Sequence, residues 1–280
     1  MPRQKSERSS VSTSPKTSDL QSDIRILKQI VESTDPHSEP YSVDDLKNAG
    51  EDDIRRELDR RARHKYFGWF PGSGKYARSE YLKHMEFLAS GDTHIERLFC
   101  AANKVGKTET GSFECTAHAT GIYPKWWQGK RFDRNINIWV CNKSSKDVKE
   151  VNQFSMMGEP GSEGTGMVPG QLIVNTTKKP NVPEGIDVAY VKSAFGSFSR
   201  VTYKSYDQGR EGFQGRNIDV IWCDEEVPDD IYTECLMRIM TTGGIILCTY
   251  TPVMGLTDVT LKFLPGGKLP DKQIPIEFTV

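Results

Sequence analysis

No run of apolar residues in this 280-residue chain approaches the roughly 20 needed to cross a bilayer. Behind Met1-Pro2-Arg3-Gln4-Lys5 there is no apolar segment of the kind that forms a signal peptide. A membrane partner and a secretory route are therefore not expected. An excess of one charge is also missing: 37 Lys+Arg stand against 38 Asp+Glu, for a net charge of -1, which excludes a strongly basic coat or histone-like protein. It does not exclude nucleic acid, because a basic face can be balanced by acids elsewhere. Cys-x-x-Cys pairs are absent; Cys100, Cys115, Cys141, Cys223, Cys235 and Cys248 are scattered, mostly within apolar runs. They are expected to be reduced core residues of a cytosolic protein rather than zinc ligands or a redox pair. The five histidines lack metal-ligand spacing, and there is no internal repeat.

What is present is 36% hydrophobic and 10% aromatic residues, enough to bury a core. Residues 1–22 are Ser, Thr, Lys and Arg with almost nothing apolar, and are expected to form a disordered arm. A helical N-terminal extension is expected over 23–90. It comprises short helices at Ile24 to Glu32 and Glu51 to His64, an aromatic turn at Tyr66 to Gly72, and a helix capped by Ser79 that turns Leu82, Met85, Phe87 and Leu88 to a core. Over 91–265 the character changes. Apolar runs at Arg97 to Ala101, Ile136 to Cys141, Asp187 to Val191, Arg200 to Tyr203, Ile218 to Cys223 and Ile245 to Tyr250 alternate with helical or Gly-rich segments. That pattern predicts an α/β domain with a mostly parallel sheet flanked by helices. Gly158 to Pro169 reads as a surface loop, and 266–280 as a C-terminal segment.

The strand candidate ending at Cys100 runs into Ala101-Ala102-Asn103-Lys104-Val105-Gly106-Lys107-Thr108 and then a helical stretch to Thr120. Strand, loop and helix with Gly-Lys-Thr at the helix start is the context of a P-loop, with Ala101 standing where the first glycine usually falls. Backbone N–H groups from Ala102 to Gly106 would hold the phosphates of ATP. Lys107 would reach the β- and γ-phosphates, and the Thr108 hydroxyl would bind Mg²⁺. Asn217 to Cys223 is a second apolar strand, ending in Asp224-Glu225-Glu226. At the C-terminal edge of a parallel sheet, Asp224 can order Mg²⁺ and Glu225 can orient or deprotonate the attacking water. At the end of a third strand, Thr249 or Thr251 can sense the γ-phosphate, or the Thr-Pro exit can simply turn the chain. The Gly-rich loop from Gln208 to Arg216 carries two arginines, either of which can stabilise a transferring phosphoryl group or form surface ion pairs.

Taken in order, several segments resemble the ATPase part of the large terminase subunit, the DNA-packaging motor of tailed bacteriophages. They are Ala102 to Thr108, Gly121-Ile122-Tyr123-Pro124-Lys125-Trp126-Trp127, Lys204 to Glu211, Trp222 to Glu226 and Thr249-Tyr250-Thr251-Pro252, and the resemblance runs from about Tyr81 to Pro265. It implies a P-loop ATPase of the additional-strand, catalytic-glutamate type. Lys107 and Thr108 would match the Walker A lysine and hydroxyl, Asp224 the Walker B aspartate, Glu225 the catalytic glutamate, and Thr249 to Pro252 the coupling motif. Such a protein would hydrolyse ATP with Mg²⁺ in the host cytoplasm. It would act as a homo-oligomeric ring on the portal protein with a small terminase subunit, and pull double-stranded DNA into an empty procapsid.

Two departures from the family pattern follow. Asn103 and Lys104 occupy the position where many large terminases carry a P-loop arginine, so Arg210 becomes the candidate catalytic arginine. No glutamine stands between Tyr81 and Phe87, where the adenine contact would fall. Family members continue into an RNase H-like nuclease domain; this chain reaches Val280 without a further Asp cluster, and nuclease activity is not expected of it. DNA contacts would be to backbone phosphates, with Lys143, Lys146, Lys149, Lys178 and Lys179 as candidates. The alternatives are a helicase-like nucleic-acid-stimulated ATPase, or a non-hydrolysing nucleotide-binding scaffold for a partner nuclease. A water-activating glutamate argues against the scaffold.

Overall fold

The computed structural model describes residues 65–264, apart from 75, 253, 254 and 256, together with the backbone of 277–279. The expected arm over 1–22 and the two helices expected before residue 65 lie outside the described residues. The elements are α1 (Lys65–Gly68), α2 (Leu82–Ser90), β1 (Glu96–Cys100), α3 (Lys107–Thr120) and β2 (Asn137–Asn142). Next comes α4, an α-turn at Ser145–Asp147 that continues as a π-helical stretch Val148–Gln153 and ends as an α-turn Phe154–Met157. There follow β3 (Ile173–Lys178), β4 (Ile186–Lys192), β5 (Phe198–Ser205), β6 (Val220–Asp224), α5 (Asp229–Ile239), β7 (Ile245–Tyr250), α6 (Asp258–Lys262) and β8 (Glu277–Thr279).

One sheet holds all eight strands in the order β3-β4-β5-β2-β6-β7-β1-β8. The five strands from β5 to β1 are parallel to one another. β3 and β4 extend one side in antiparallel pairing, and β8 pairs antiparallel with β1 at the other edge, so the sheet includes residues beyond 265. β7 lies between β1 and β6, so the strand that leads into the phosphate loop and the strand that ends in Asp224 are not neighbours.

Strand alternation splits the interior into two cores. Ile138, Val140, Val220, Trp222, Ile245 and Leu247 face α3. Trp139, Cys141, Ile221, Cys223, Ile246, Cys248 and Tyr250 face α5. On the α5 side, Cys141, Cys223 and Cys248 align in register across β2, β6 and β7, and Cys235 of α5 joins the same core. All six cysteines are free, and all but Cys100 are buried. α5 is amphipathic, with Ile231, Cys235 and Ile239 on one stripe, acids in its first turn and Arg238 in its last, in accord with the helix dipole.

α3 is buried from Thr110 to Thr120. The sheet covers one side, and Phe113 packs on Tyr66, Phe70 and Trp126 on the other. Gly111 makes that depth attainable: a Cβ there would lie 2.4 Å from the Trp222 ring. Burial of α3 also encloses charge. Arg97 of β1 forms a bidentate ion pair with Glu114, donates to the Phe87 carbonyl at 2.8 Å, and is fully enclosed. The His118 ring lies 3.3 Å from Glu114 and contacts the Tyr123 hydroxyl at 3.1 Å. Burial raises the Glu114 carboxyl, but Arg97 and His118 more than offset it and hold the group below the ordinary carboxylate range.

Three expectations need correction. Ser79 does not cap α2; it sits in a 3₁₀ turn (Arg78–Glu80), and Tyr81 occupies the cap position. Leu82 is 68% exposed while Phe87 and Leu88 are buried, because at 3.6 residues per turn Leu82 lies on the opposite side of the helix from those two. Of the Gly158 to Pro169 loop only the first half is surface: Met167 and Val168 are fully buried, their backbone N–H groups bonded to Ser155 and Met156 of α4.

Candidate functional site

The C-terminal edge of the parallel strands collects the polar residues singled out above. The loop after β1 reaches α3 through Lys104 and Gly106, both left-handed (φ 64° and 89°). A glycine at position 106 accepts that conformation without strain and precedes the helix N-terminus. The Lys107 ammonium folds over the loop, donating to the carbonyls of Ala101 at 2.9 Å and Ala102 at 2.7 Å and to the Thr251 hydroxyl at 2.9 Å. Burial lowers the Lys107 pKa, and the Glu225 and Asp224 carboxylates work against that. Thr251 in turn donates to the Ala101 carbonyl at 2.6 Å and to Asn103 Oδ1 at 3.0 Å.

Asp224 ends β6 buried beneath the start of α3. The Thr108 hydroxyl donates to both its oxygens, at 3.2 and 3.1 Å. Thr249 donates to Oδ1 at 2.7 Å, and Asn152 Nδ2 to Oδ2 at 3.0 Å. Trp222 Nε1 donates to Thr249 Oγ1 at 2.7 Å, which fixes that hydroxyl. Burial pushes the Asp224 carboxyl up to about 7; the hydrogen bonds from Thr249 and Thr108 pull it down, the neighbouring Glu225 adds to the rise, and Asn152 pulls it down. A buried carboxylate facing a threonine hydroxyl at a helix N-terminus is a hard-oxygen donor set. It suits Mg²⁺, which is held by one or two protein oxygens and otherwise by water and phosphate.

Glu225 follows with φ 78°, uncommon for a residue with a side chain. Its carbonyl accepts from the Tyr206 hydroxyl at 3.1 Å and its N–H donates to the Thr249 carbonyl at 3.2 Å. Its carboxylate, 40% exposed, lies 3.6 Å from Lys143 Nζ. Glu226 turns toward the opposite face, accepting from Thr257 at 2.7 Å and Thr260 at 3.0 Å, and Thr260 also meets the Tyr250 hydroxyl at 3.0 Å.

Lys107 and Thr251 are thus joined by one set of hydrogen bonds, and Thr108, Asp224 and Thr249 by another, with Glu225 beside them. Arg210 is not among them: its Nε donates to Glu234 of α5 at 3.0 Å. The lysines considered for DNA are dispersed. Lys143 pairs with Glu225, Lys146 with Glu150 and Lys149 with Glu184; Lys179 donates to the Tyr203 carbonyl, and Lys178 is exposed at the end of β3. The sequence reading missed two contributors. Asn152 comes from α4, where no local pattern marks it. His84 of α2 sits against the phosphate loop, its Nε2 2.8 Å from the Val105 carbonyl and its ring against Tyr81 and Phe99.

A parallel core with an extra strand between the loop-bearing strand and the acidic strand, and a lysine and threonine opening the buried helix, define a P-loop protein of the additional-strand type. Residues 98–280 match the family described as "Terminase large subunit, T4likevirus-type, N-terminal", and the chain belongs to that family. The large terminase subunit of Salmonella phage P22 is 35% identical over 219 residues, covering 71% of this chain and 44% of that protein. The chain therefore spans less than half the length of that relative. Among solved structures, the large terminase ATPase domain of Thermus phage P74-26 aligns with a TM-score of 0.43 at 12% identity, over 72% of this chain and 81% of that one. A large terminase from a thermophilic bacteriophage, in complex with ADP, aligns with a TM-score of 0.39 at 12% identity, over 60% of this chain and 37% of that one. Among the described residues no helix is long and apolar enough to cross a membrane.

Proposed function

We propose that this chain is the motor portion of a large terminase subunit, hydrolysing ATP with Mg²⁺ and driving double-stranded viral DNA into an empty procapsid in the host cytoplasm. The observation that supports the reading best is the convergence of Lys107, Thr108 and Asp224 at one sheet edge with Glu225 adjacent. Family membership supports it independently.

In this reading the amides from Ala102 to Gly106 cradle the ATP phosphates. The Lys107 ammonium exchanges the Ala101 and Ala102 carbonyls for phosphate oxygens. Thr108 and Asp224 would hold Mg²⁺, which would supply positive charge against the phosphate oxygens. Glu225 turns the attacking water toward the γ-phosphate and takes its proton. Thr249 and Thr251 carry the state of the site into β7. Arg210, half exposed on its ion pair with Glu234, is presented to a neighbouring subunit of the ring. The portal protein, the small terminase subunit and the DNA phosphate backbone complete the set of partners.

The test is ATP turnover by the purified chain at fixed salt, with and without linear duplex DNA, beside Lys107→Ala and Glu225→Gln. Loss of binding in the first, and retained binding without turnover in the second, is expected. Undiminished turnover in Glu225→Gln, or no ATP binding by the wild type, refutes the reading.

A further inference from the structure

We infer that Asn152 is a positioning residue for Asp224, held in orientation by Asn142; this rests on the nucleotide-site reading above. β2 and β6 are parallel neighbours with Cys141 opposite Cys223, so Asn142 closes one strand beside the point where Asp224 closes the other. Both Asn142 and Asn152 are buried. Asn152 lies in the π-helical stretch of α4, the rare wider helix that re-aims side chains within an otherwise α-helical segment.

The amide chain has one possible polarity. The Lys143 backbone N–H, which can only donate, gives its hydrogen bond to Asn142 Oδ1 at 2.7 Å. Asn142 must then turn its Nδ2 outward, and that atom donates to Asn152 Oδ1 at 2.9 Å. Asn152 in turn presents Nδ2 to Asp224 Oδ2 at 3.0 Å. Reversing either amide would set donor against donor. The helix carrying Asn152 is fixed separately. Gln153 Nε2 donates to the Ile186 carbonyl at 2.6 Å and its Oε1 accepts the Ile186 N–H at 3.0 Å, clamping α4 to β4.

Asn152 differs in kind from the other two donors on Asp224. Thr108 carries a hydroxyl that rotates between donating and accepting, and that of Thr249 only donates while Trp222 Nε1 occupies its oxygen, whereas an amide N–H with its oxygen already engaged can only donate. If Thr108 leaves the carboxylate to take a metal, Asn152 and Thr249 remain to set its rotation. A satisfied pair of buried amides with no further role would share the hydrogen bonds but not this consequence. Partners behind a metal ligand typically change metal affinity or activity roughly 10–100-fold when removed.

The test is titration of the full chain with a fluorescent non-hydrolysable ATP analogue in EDTA and across a Mg²⁺ series, using wild type, Asn152→Ala and Asn142→Ala, with urea unfolding to verify folding. Wild type should bind more tightly as Mg²⁺ rises. In Asn152→Ala the Mg²⁺ concentration for half-maximal tightening should increase roughly 10-fold or more, while affinity in EDTA stays within about twofold. Asn142→Ala, which has no hydrogen bond to Asp224 and reaches it through Asn152, should shift the midpoint in the same direction by less, and it carries the test if Asn152→Ala does not fold. An unchanged Mg²⁺ midpoint, or an equal loss of affinity with and without Mg²⁺, overturns the assignment while leaving the nucleotide site standing. A wild type that binds no nucleotide, or binds it without regard to Mg²⁺, overturns the site reading itself.

Discussion

Substituting Gly111 by Ala tests the close approach of α3 to the Trp222 ring of β6. The added Cβ would lie 2.4, 2.5 and 2.7 Å from three atoms of the Trp222 indole, against an optimal carbon separation of about 3.5–4.0 Å. The ring cannot retreat cheaply, because it is fully buried and its Nε1 is bonded to Thr249 Oγ1. Overpacking of this kind costs about 1–3 kcal/mol, and this overlap lies at the upper end. Breaking the Trp222–Thr249 hydrogen bond adds about 1 kcal/mol, and the better helix propensity of alanine returns about 1 kcal/mol. The expected loss is therefore about 2–3 kcal/mol, measured by urea unfolding followed by far-ultraviolet circular dichroism. Shrinking the partner should relieve it, so Trp222→Phe combined with Gly111→Ala should be more stable than the sum of the single changes by about 1 kcal/mol or more. A Gly111→Ala protein as stable as wild type, or strict additivity in the pair, would refute the packing argument.

Asp224→Asn should trade activity for stability. Because burial raises the folded carboxyl from its ordinary 3.8 to about 7, the proton it binds lends stability below the ordinary range that is lost as pH rises through about 7. The variant should outlast wild type in urea at pH 8 by at most about 4 kcal/mol, the full value of that rise, with the gap closing near pH 4. Arg97→Met leaves Glu114 buried and charged with only His118 beside it, and should cost about 3–5 kcal/mol at neutral pH. The sign at this pair is opposite. Since the Glu114 carboxyl is held low, its contribution is present above about 4.5 and lost as pH falls through its lowered value, so the Arg97→Met deficit should shrink in acid. Thr251→Val removes a Lys107 partner and a bond to the Ala101 carbonyl. It should weaken ATP binding about 3–10-fold, the worth of roughly one hydrogen bond, and wild-type affinity would refute the link.

The phosphate loop, β6 with its acids and β7 with its threonines are legible in the sequence because each is a contiguous apolar run followed at once by polar residues of one chemistry. In a parallel sheet those run ends meet at one edge whatever the strand order. The order itself, with β7 entered between β1 and β6, depends on connections that no local pattern encodes. β3 is invisible for a different reason: after Ile173 every residue to Lys178 is exposed, so there is no apolar face to read. Its neighbours β4 and β5 are marked by apolar runs, but their antiparallel pairing is not. Leu82 is misplaced because it does not share a helix face with Phe87 and Leu88, from which it is turned by more than 100° at 3.6 residues per turn. Asn152 escapes because the π-helical stretch breaks the 3.6-residue spacing on which a helix face is predicted.

The last three residues of β7 and its exit have opposite loyalties. Thr249 and Thr251 belong to the Asp224 carboxylate and the Lys107 ammonium on one face, while Tyr250 between them is tied through Thr260 to α6 and Glu226 on the other. Consecutive residues of an extended strand are joined by planar, nearly rigid peptide units. Any sliding of β7 that changes the reach from Lys107 to Thr251 must therefore change the reach from Tyr250 to Thr260 by a comparable amount. The strand works as a stiff rod passing through a wall, with the two sides of the sheet sharing a single mechanical degree of freedom and no hinge between them to absorb the motion.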